Sequence, residues 1–363
     1  MIAVVVLFWV SLGALVWTHI AYPLAAYALA RVRSRPVRRG DDLPRVTLIV
    51  AAHNEESVIE RRIENLRALD YPADRLEVVV TSDASTDATE ELAERAGARV
   101  IRNPRGGKVA AQNHAVRETT GEVVAFTDAN STWAPDALLR LVRSFADPDV
   151  AYVCGRLNVQ ADDGRNQEGL YWRYELGVRA AESRVDSVTG GNGSIYAVRR
   201  RDYVEVDPRF GHDLSLPYLM VQRGRRAVYE PEANAYEKAT PTTEDEYRRK
   251  VRMFEHCWAI VLEGKMLRRL RPIYLVEVVS HRHLRYASGL LHLVLLGTSI
   301  ALLGHGTIYA VALGLQLGLL AAALFGVGLA RYYVLVTWAT VQSLFNYVRR
   351  GVPATWDAAE GTR

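Results

Sequence analysis

The chain has 363 residues, of which 49% are hydrophobic and 24% charged, and its 45 basic and 41 acidic side chains give a net charge of +4. This composition excludes an intrinsically disordered chain and a collagen-like repeat. Two cysteines, Cys154 and Cys257, are too few for a disulfide framework or a cysteine-rich zinc site, and we expect both to be packing residues.

The first segment is apolar and uncharged. Residues 2–30 contain no Asp, Glu, Lys or Arg, and about 20 apolar residues suffice to cross a bilayer. Because nothing basic precedes the run, a transmembrane helix over residues 1–30 is favoured over a cleavable signal peptide. Five arginines without an acidic neighbour follow between residues 31 and 39, and positive charge stays on the cytoplasmic side. We therefore predict a cytosolic domain over residues 31–285, with basic flanks near the membrane.

A second apolar region covers residues 286–350. Six basic residues between 265 and 285 precede two apolar stretches, 286–304 and 307–330, which predict two spans joined by a tight turn at Gly304-His305-Gly306. Residues 332–348 carry a polar stripe beside an apolar one, which is typical of either a third span or an interfacial helix, with the interfacial position favoured. Residues 351–363 form a tail. The expected location is the cell membrane, crossed more than once, with the domain in the cytoplasm.

Between the membrane segments, strands and helices alternate. Apolar runs of strand length are followed by segments of helical periodicity, which predicts an α/β fold with helices packed over a mostly parallel sheet. The predicted strands are 46–52, 76–81, 99–101 and 123–127, and the predicted helices are 55–69, 86–96 and 109–119.

Polar clusters directly follow three of the predicted strands. They are Ala52-His53-Asn54-Glu55, Ser82-Asp83-Ala84-Ser85 and Asp128-Ala129-Asn130. In sheets of this type ligands bind beyond the carboxyl ends of the strands. The sequence contains neither Gly-x-Gly-x-x-Gly after a strand nor a P-loop motif, which argues against a dinucleotide-dependent dehydrogenase and a P-loop enzyme.

The oxygen atoms of Asp128 and Asn130 can face a divalent cation bound to a diphosphate, although both residue types also form turns. Lys108 follows Gly106-Gly107 in a loop suited to phosphate oxygens, or is a solvated lysine. Asp83 precedes a helix and can accept hydrogen bonds from a base or ribose.

Two further motifs lie later in the chain. Asp213 follows a glycine-containing turn, where an acid is either a catalytic base or a helix cap. The basic run at residues 248–252 either contacts phosphate groups or forms a patch that faces lipid headgroups.

Taken in order, these motifs resemble the membrane-bound family-2 glycosyltransferases of the GT-A fold, the group that includes cellulose, hyaluronan and poly-N-acetylglucosamine synthases. The resemblance runs from residue 46 to about 258. It rests on Val-Ala-Ala-His-Asn-Glu-Glu (50–56), Ser-Asp-Ala-Ser-Thr-Asp (82–87), Gly-Gly-Lys (106–108), Thr-Asp-Ala-Asn (127–130), Tyr-Trp-Arg-Tyr-Glu (171–175), Gly-Gly-Asn-Gly (190–193), His-Asp (212–213) and Arg-Arg-Lys-Val-Arg (248–252).

The resemblance implies a Rossmann-like mixed sheet with flanking helices and an inverting transfer from a UDP-sugar, with Asp213 as the general base. It implies that Asp128 and Asn130 hold Mg²⁺ or Mn²⁺. The implied donor-binding residues are Ala52, His53, Glu55, Asp83, Lys108, Asp128, Arg249 and Arg252. The acceptor is expected near Trp172, Asn192, His212 and Trp258.

This sequence departs from the family pattern at several positions. Asn130 replaces the second acid of the Asp-x-Asp motif, His212 replaces the acid before the base, and Arg249 and Met253 stand where Gln and Trp are expected. The leading hypothesis is transfer to a growing saccharide, the alternative is transfer of one sugar to a membrane lipid, and a remote alternative is a nucleotide-sugar-binding protein without catalysis. No nucleic-acid partner is expected, because the basic residues cluster at membrane boundaries.

Overall fold

The computed structural model describes residues 1–160, 169–239 and 242–355, so the end of the predicted tail, from residue 356, lies outside the described residues. The strands are β1 (Val46–Ala52), β2 (Leu76–Asp83), β3 (Arg99–Asn103), β4 (Val123–Asp128), β5 (Thr132–Trp133), β6 (Val150–Gln160), β7 (Tyr196–Arg199) and β8 (Arg226–Lys238).

These strands form one mixed sheet in the order β3-β2-β1-β4-β7-β6-β8-β5. The strand pairs β1–β2, β1–β4 and β2–β3 are parallel. In contrast, β7 runs antiparallel to both of its neighbours, β4 and β6. In the parallel part Ala52 pairs with Ser82, and Ala51 pairs with Asp128. The three polar clusters that follow these strands therefore lie side by side at one edge of the sheet.

The helices lie between the strands and at both ends of the chain. They are α1 (Ile2–Val16), α2 (Tyr22–Val32), α3 (Ile59–Arg67), α4 (Thr89–Arg95), α5 (Lys108–Arg117), α6 (Ala137–Arg143), α7 (Gly169–Val185), α8 (His212–Gln222), α9 (Thr243–Glu263), α10 (Pro272–Val278), α11 (Leu284–Tyr286), α12 (Ser288–Ala301), α13 (Thr307–Leu324) and α14 (Gly328–Arg350).

Two predicted helices begin later than the periodicity indicated. The helix predicted from residue 86 begins at Thr89, because Asp87 accepts hydrogen bonds from the backbone and hydroxyl of Thr89 and so ends the preceding loop. The helix predicted from residue 55 begins at Ile59, after Asn54 has adopted a φ of +54°.

The sheet has a hydrophobic core on each face, because side chains alternate along every strand. Leu48 and Val50 of β1 pack with Ile63 of α3 on one face. Ile49 points to the other face, where it joins Phe126 and Tyr196. The rings of Phe126 and Tyr196 stack with their centroids 4.9 Å apart.

The N-terminal helical run extends from Ile2 to Val32 and is long and apolar enough to cross a membrane. Pro23 does not end it, because a π-helical turn at Trp17–Ala21 precedes the proline and places it at the start of α2. Residues of α2 pack against α7 of the domain, and the Tyr22 hydroxyl donates to Glu182 at 2.5 Å.

The C-terminal region differs from its predicted outline. α13 is long and apolar enough to span a membrane but ends at Leu324, short of residue 330. α12, with 14 residues, meets that test only when combined with the helical segment Pro272–Tyr286, to which it is bent by 63°. α14 begins at Gly328, earlier than the predicted residue 332, and packs against α9 of the domain through Trp258 and Ala339.

Candidate active site

A cavity of about 780 Å³ opens at the carboxyl ends of β1, β2 and β4 and continues towards the helices of the two chain ends. Every site residue named from the sequence lines it except Trp258. Those lining residues are Ala52, His53, Glu55, Asp83, Lys108, Asp128, Asn130, Trp172, Asn192, His212, Asp213, Arg249 and Arg252.

Asp83, at the end of β2, organises the loop before α5. Its carboxylate accepts hydrogen bonds from the backbone N–H groups of Gly106 and Gly107 at 2.7 and 2.9 Å, and it pairs with Arg105 at 2.8 Å. Gly107 has a φ of +90°, a conformation that L-residues with a side chain rarely adopt. Asp83 thus holds the loop that brings Lys108 to the cavity.

Lys108 and Asp128 form an ion pair in the cavity. Burial would lower the pKa of Lys108, but the charge and hydrogen bond of Asp128 outweigh it and the pKa is raised. Gly193 faces this pair closely, since a side chain there would meet Lys108 Nζ at 3.2 Å and Asp128 Oδ2 at 3.3 Å. The lysine ammonium is therefore charged, and the absence of a side chain at Gly193 allows the backbone to approach it closely.

Asp213 is the second residue of α8. Gly211 is the N-cap of this helix, and the Asp213 side chain forms no capping hydrogen bond there. Desolvation raises the pKa of Asp213, and the nearby Lys108 acts in the opposite direction. The neighbouring His212 is held between the hydroxyls of Tyr196 and Tyr203 at 2.9 and 2.8 Å, and burial lowers its pKa to about 3. His212 is therefore neutral, which leaves Asp213 as the carboxylate of this helix in the cavity.

The residues at the cavity floor offer oxygen ligands for a divalent cation. Asp128 supplies a carboxylate and Asn130 an amide oxygen, and Glu237 at the end of β8 lines the same wall. Burial and the charge of Asp128 raise the pKa of Glu237. The described residues contain no cluster of three His, Cys, Asp or Glu side chains suited to a metal. Carboxylate and amide oxygens are nevertheless the ligand types of a hard cation, which could take further oxygen ligands from a diphosphate.

The basic run at 248–252 lies on α9 and is matched by acids on the same helix. Arg249 and Lys250 both contact Glu246, at 2.9 and 3.2 Å, and Arg248 contacts Glu244 at 3.0 Å. Arg249, Lys250 and Arg252 line the cavity. The run is thus part of the cavity wall as well as of the surface.

The predicted acceptor residues have different surroundings. Trp172 lines the cavity and its indole N–H donates to the Leu157 carbonyl, whereas the Asn192 side chain donates to Gly155 and accepts from Ile195 N–H. Trp258 does not itself line the cavity. It is buried between α9 and α14, where its indole N–H donates at 3.0 Å to the carbonyl of Thr340, which does line the cavity.

Several cavity residues were not predicted. Arg282 and Arg285 were interpreted as charges flanking the membrane, but both line the cavity, and Arg285 pairs with Glu175 of α7. Arg179 is 7% exposed, and its Nε and Nη1 atoms have no hydrogen-bond partner among the residues that the structure describes. His19 of the N-terminal run also lines the cavity. Sequence spacing carried no signal for the two C-terminal arginines, because their partners lie far away in the chain: Arg285 is 110 positions from Glu175, and Arg282 is 93 positions from Thr189.

Comparison with known proteins identifies the domain. Residues 47–206 match the family described as Glycosyl transferase family 2. The chain is 32% identical over 207 residues to the beta-monoglucosyldiacylglycerol synthase of Synechocystis sp., covering 52% of this chain and 42% of that protein. It is 28% identical over 306 residues to an N-acetylglucosaminyltransferase of Rhizobium meliloti, covering 75% and 70%. The chain thus spans less than half the length of the Synechocystis relative.

Among solved structures, the chain is similar to the mannosyltransferase PcManGT from Pyrobaculum calidifontis, which was determined in complex with GDP-Man and Mn²⁺. The TM-score is 0.75 at 24% identity, and the match covers 95% of this chain and 97% of that one. This likeness shows a shared fold over the terminal helices as well as the sheet. Residues 47–206 therefore form a family-2 glycosyltransferase domain, and its fold is the GT-A fold.

Proposed function

We propose that this protein is a membrane-bound inverting glycosyltransferase that moves one sugar from a UDP-sugar to a lipid acceptor. The observation that carries the proposal is a single cavity in which Asp83, Lys108, Asp128 and Asp213 meet, and which continues to His19 at the membrane helices. A nucleotide sugar bound at the strand ends would then face an acceptor that reaches the cavity from the bilayer.

The proposed reaction is a single displacement at the anomeric carbon. The Asp213 carboxylate takes the proton of the acceptor hydroxyl as that oxygen attacks. The departing UDP gains negative charge, which the Lys108 ammonium and the Arg252 guanidinium stabilise from the cavity wall. No covalent intermediate is needed. Burial raises the pKa of both Cys154 and Cys257 to about 11, so neither is suited to act as a nucleophile.

Asp128 and Asn130 are the proposed ligands of Mg²⁺ or Mn²⁺. When bound, the cation neutralises charge on the diphosphate leaving group. Asp83 contributes indirectly, by holding the Gly106-Gly107 loop and with it the position of Lys108.

The membrane end of the cavity supports a lipid acceptor. α2 packs against the domain through Tyr22, Ala26 and Ala30. The N-terminal run also contacts the domain at Trp17, whose indole N–H donates to Ser280, and at His19, whose carbonyl accepts from the Tyr174 hydroxyl of α7. Residues 2–16, a helical length of about 22 Å, precede these contacts. His19 lines the cavity just beyond that stretch, so we propose that the cavity opens at the depth of the lipid headgroups. The Synechocystis relative is named for a glucosylated diacylglycerol.

Transfer to a growing saccharide is the second candidate. Tyr171, Trp172, Tyr332 and Tyr333 line the cavity beside the membrane helices, and aromatic faces of this kind suit sugar rings. A poly-beta-1,6-N-acetyl-D-glucosamine synthase of Staphylococcus aureus is 22% identical over 261 residues, covering 63% of that protein.

The proposed location is the cell membrane, with the GT-A domain in the cytoplasm, where nucleotide sugars are made. Its support is the run of arginines at 31–39, which follows the N-terminal helix, together with two helices apolar enough to span a membrane.

A donor and product screen tests the proposal. Purified full-length protein in lipid vesicles is supplied with UDP-glucose, UDP-N-acetylglucosamine, UDP-galactose or GDP-mannose and with Mg²⁺ or Mn²⁺, and nucleotide release and organic-phase radioactivity are measured. We expect UDP release and one labelled lipid species. A ladder of saccharide lengths would show that the acceptor is a growing saccharide and not a lipid. Tight UDP binding without UDP release from any donor would contradict catalysis.

A further inference from the structure

We propose that Glu237 is the second carboxylate of the divalent-cation site and supplies the negative charge that Asn130 lacks. This inference rests on the proposed function, because it concerns the cation that accompanies the donor diphosphate. Asp-x-Asn alone offers a single charged ligand, and carboxylate count is a main determinant of affinity for hard cations.

The pairing of β5 with β8 brings Glu237 close to the Asp128-Ala129-Asn130 segment, which contains the proposed cation ligands. β5 runs antiparallel to β8, with Trp133 opposite Ala235 and Thr132 opposite Tyr236. Glu237 directly follows Tyr236, and Ser131 directly precedes Thr132, so Glu237 lies next to the loop that joins Asp128 to β5. It does so although it stands 107 positions after Asn130 in the chain.

A hydrogen-bond network fixes Glu237 in this place. The Ser194 hydroxyl donates to Glu237. The Ser194 carbonyl in turn accepts from the Thr127 hydroxyl and from the Trp133 indole N–H, both at 2.8 Å. Because Thr127 directly precedes Asp128, the same serine connects both carboxylates to one rigid frame.

The two carboxylates also share an electrostatic environment. Asp128 pairs with Lys108, and Asp128, Asn130, Ser194 and Glu237 all line the same cavity. The Lys108 ammonium lies near both carboxylates and offsets part of their mutual repulsion. A divalent ion between Asp128 and Glu237 would take over this role and leave Lys108 available for the diphosphate.

An alternative role for Glu237 is purely structural: its carboxylate would accept the hydrogen bond of the Ser194 hydroxyl and position that side chain without binding the cation. Substitution of Ser194 separates the two roles, because Ser194→Ala removes the hydrogen bond but keeps both carboxylates. Glu232 provides a matched control: it lies on the same strand, is exposed, and pairs with Arg140 at 2.7 Å.

The test is Mn²⁺ binding to full-length protein in detergent, measured from the free-ion electron paramagnetic resonance signal with and without UDP. We expect Glu237→Gln to weaken Mn²⁺ binding by at least about 10-fold, Asp128→Asn to do the same, and Glu232→Gln to leave it unchanged. We expect the double variant Asn130→Asp/Glu237→Gln to recover most of the lost affinity, because it restores two carboxylates.

Wild-type affinity in Glu237→Gln, alongside a loss in Asp128→Asn, would overturn the inference. So would an equal loss in Ser194→Ala and Glu237→Gln without recovery in the double variant. Mn²⁺ binding that depends on Glu237 in a protein that releases no UDP from any donor would contradict the proposed function and support the inference.

Discussion

Asp213 lies in the cavity, and desolvation raises its pKa. Both properties follow from its place in the first turn of α8. His212 beside it is fixed by two tyrosine hydroxyls and stays neutral. A loss of transfer activity at low pH would therefore report the protonation of a carboxylate and not of the histidine. Activity should fall as the pH is lowered through the raised pKa of Asp213, because its base form is lost.

Replacing Asp213 with Asn separates catalysis from binding. Asn keeps the shape of the side chain but cannot accept the proton, so we expect the transfer rate to fall by roughly 10²–10³ or more. UDP affinity measured by calorimetry should change little. Full transfer activity in Asp213→Asn would remove Asp213 from the mechanism.

The same variant has a predicted effect on stability. A carboxylate whose pKa is raised by folding costs stability once the pH exceeds the ordinary Asp value, and the cost is complete above the raised pKa. Asp213→Asn should therefore melt higher than wild type at pH 7.5, by on the order of 2 °C. The difference should vanish near pH 4. Equal melting temperatures at pH 7.5 would contradict the raised pKa.

At the scale of elements, the loop between β3 and α5 depends on β2. Asp83→Asn removes the charge that accepts from Gly106 and Gly107 and pairs with Arg105. Hydrogen bonds to charged groups contribute about 1.5–3 kcal/mol each, so we expect UDP affinity to fall about 10-fold or more. Hydrogen exchange should increase over residues 104–108. Glu91→Gln, at an exposed acid on α4 paired with Arg95, is the control and should change neither.

Trp258 connects α9 with α14 rather than lining the cavity. Trp258→Ala should destabilise the protein by about 3–5 kcal/mol, because it empties a buried aromatic site. Trp258→Phe keeps most of the packing and loses only the hydrogen bond to Thr340, at a cost of about 1 kcal/mol. Both variants should bind UDP like wild type. An unchanged melting temperature with lost transfer would instead support the predicted acceptor role.

At the scale of the whole molecule, the cavity joins the sheet edge to helices from both ends of the chain. His19 is within 3.1 Å of the Ser288 and Tyr333 hydroxyl oxygens, so the N-terminal run, α12 and α14 meet at one end of the cavity. Arg285 of the short helix α11, which precedes α12, pairs with Glu175 and links this end of the cavity to α7.

This arrangement predicts an effect of His19 on the acceptor. His19→Ala would remove one polar contact to the lipid acceptor at the membrane end of the cavity. This loss should raise the KM for that acceptor about 10-fold. The KM for the donor should stay unchanged. Val10→Ala, at an exposed position of α1, is the matched control. A raised donor KM with an unchanged acceptor KM would contradict the placement of the acceptor at this end.

The amino-acid sequence alone determined the alternation of strands and helices, the apolar terminal helices and the polar clusters at strand ends. These are local features, since each depends on periodicity or on residues close together in the chain. The order of motifs also sufficed to name the family, which the match over residues 47–206 confirmed.

Only the tertiary structure decided which distant residues share the cavity. Glu237 lies close to the Asp128-Ala129-Asn130 segment through the pairing of β5 with β8. Arg285 turns inward to pair with Glu175 of α7, Arg282 donates to the Thr189 hydroxyl, and Trp258 packs on α14. Contacts of this kind are set by how sheet, helices and membrane segments close on one another. That closure depends on the packing of the whole chain, and no short stretch of sequence records it.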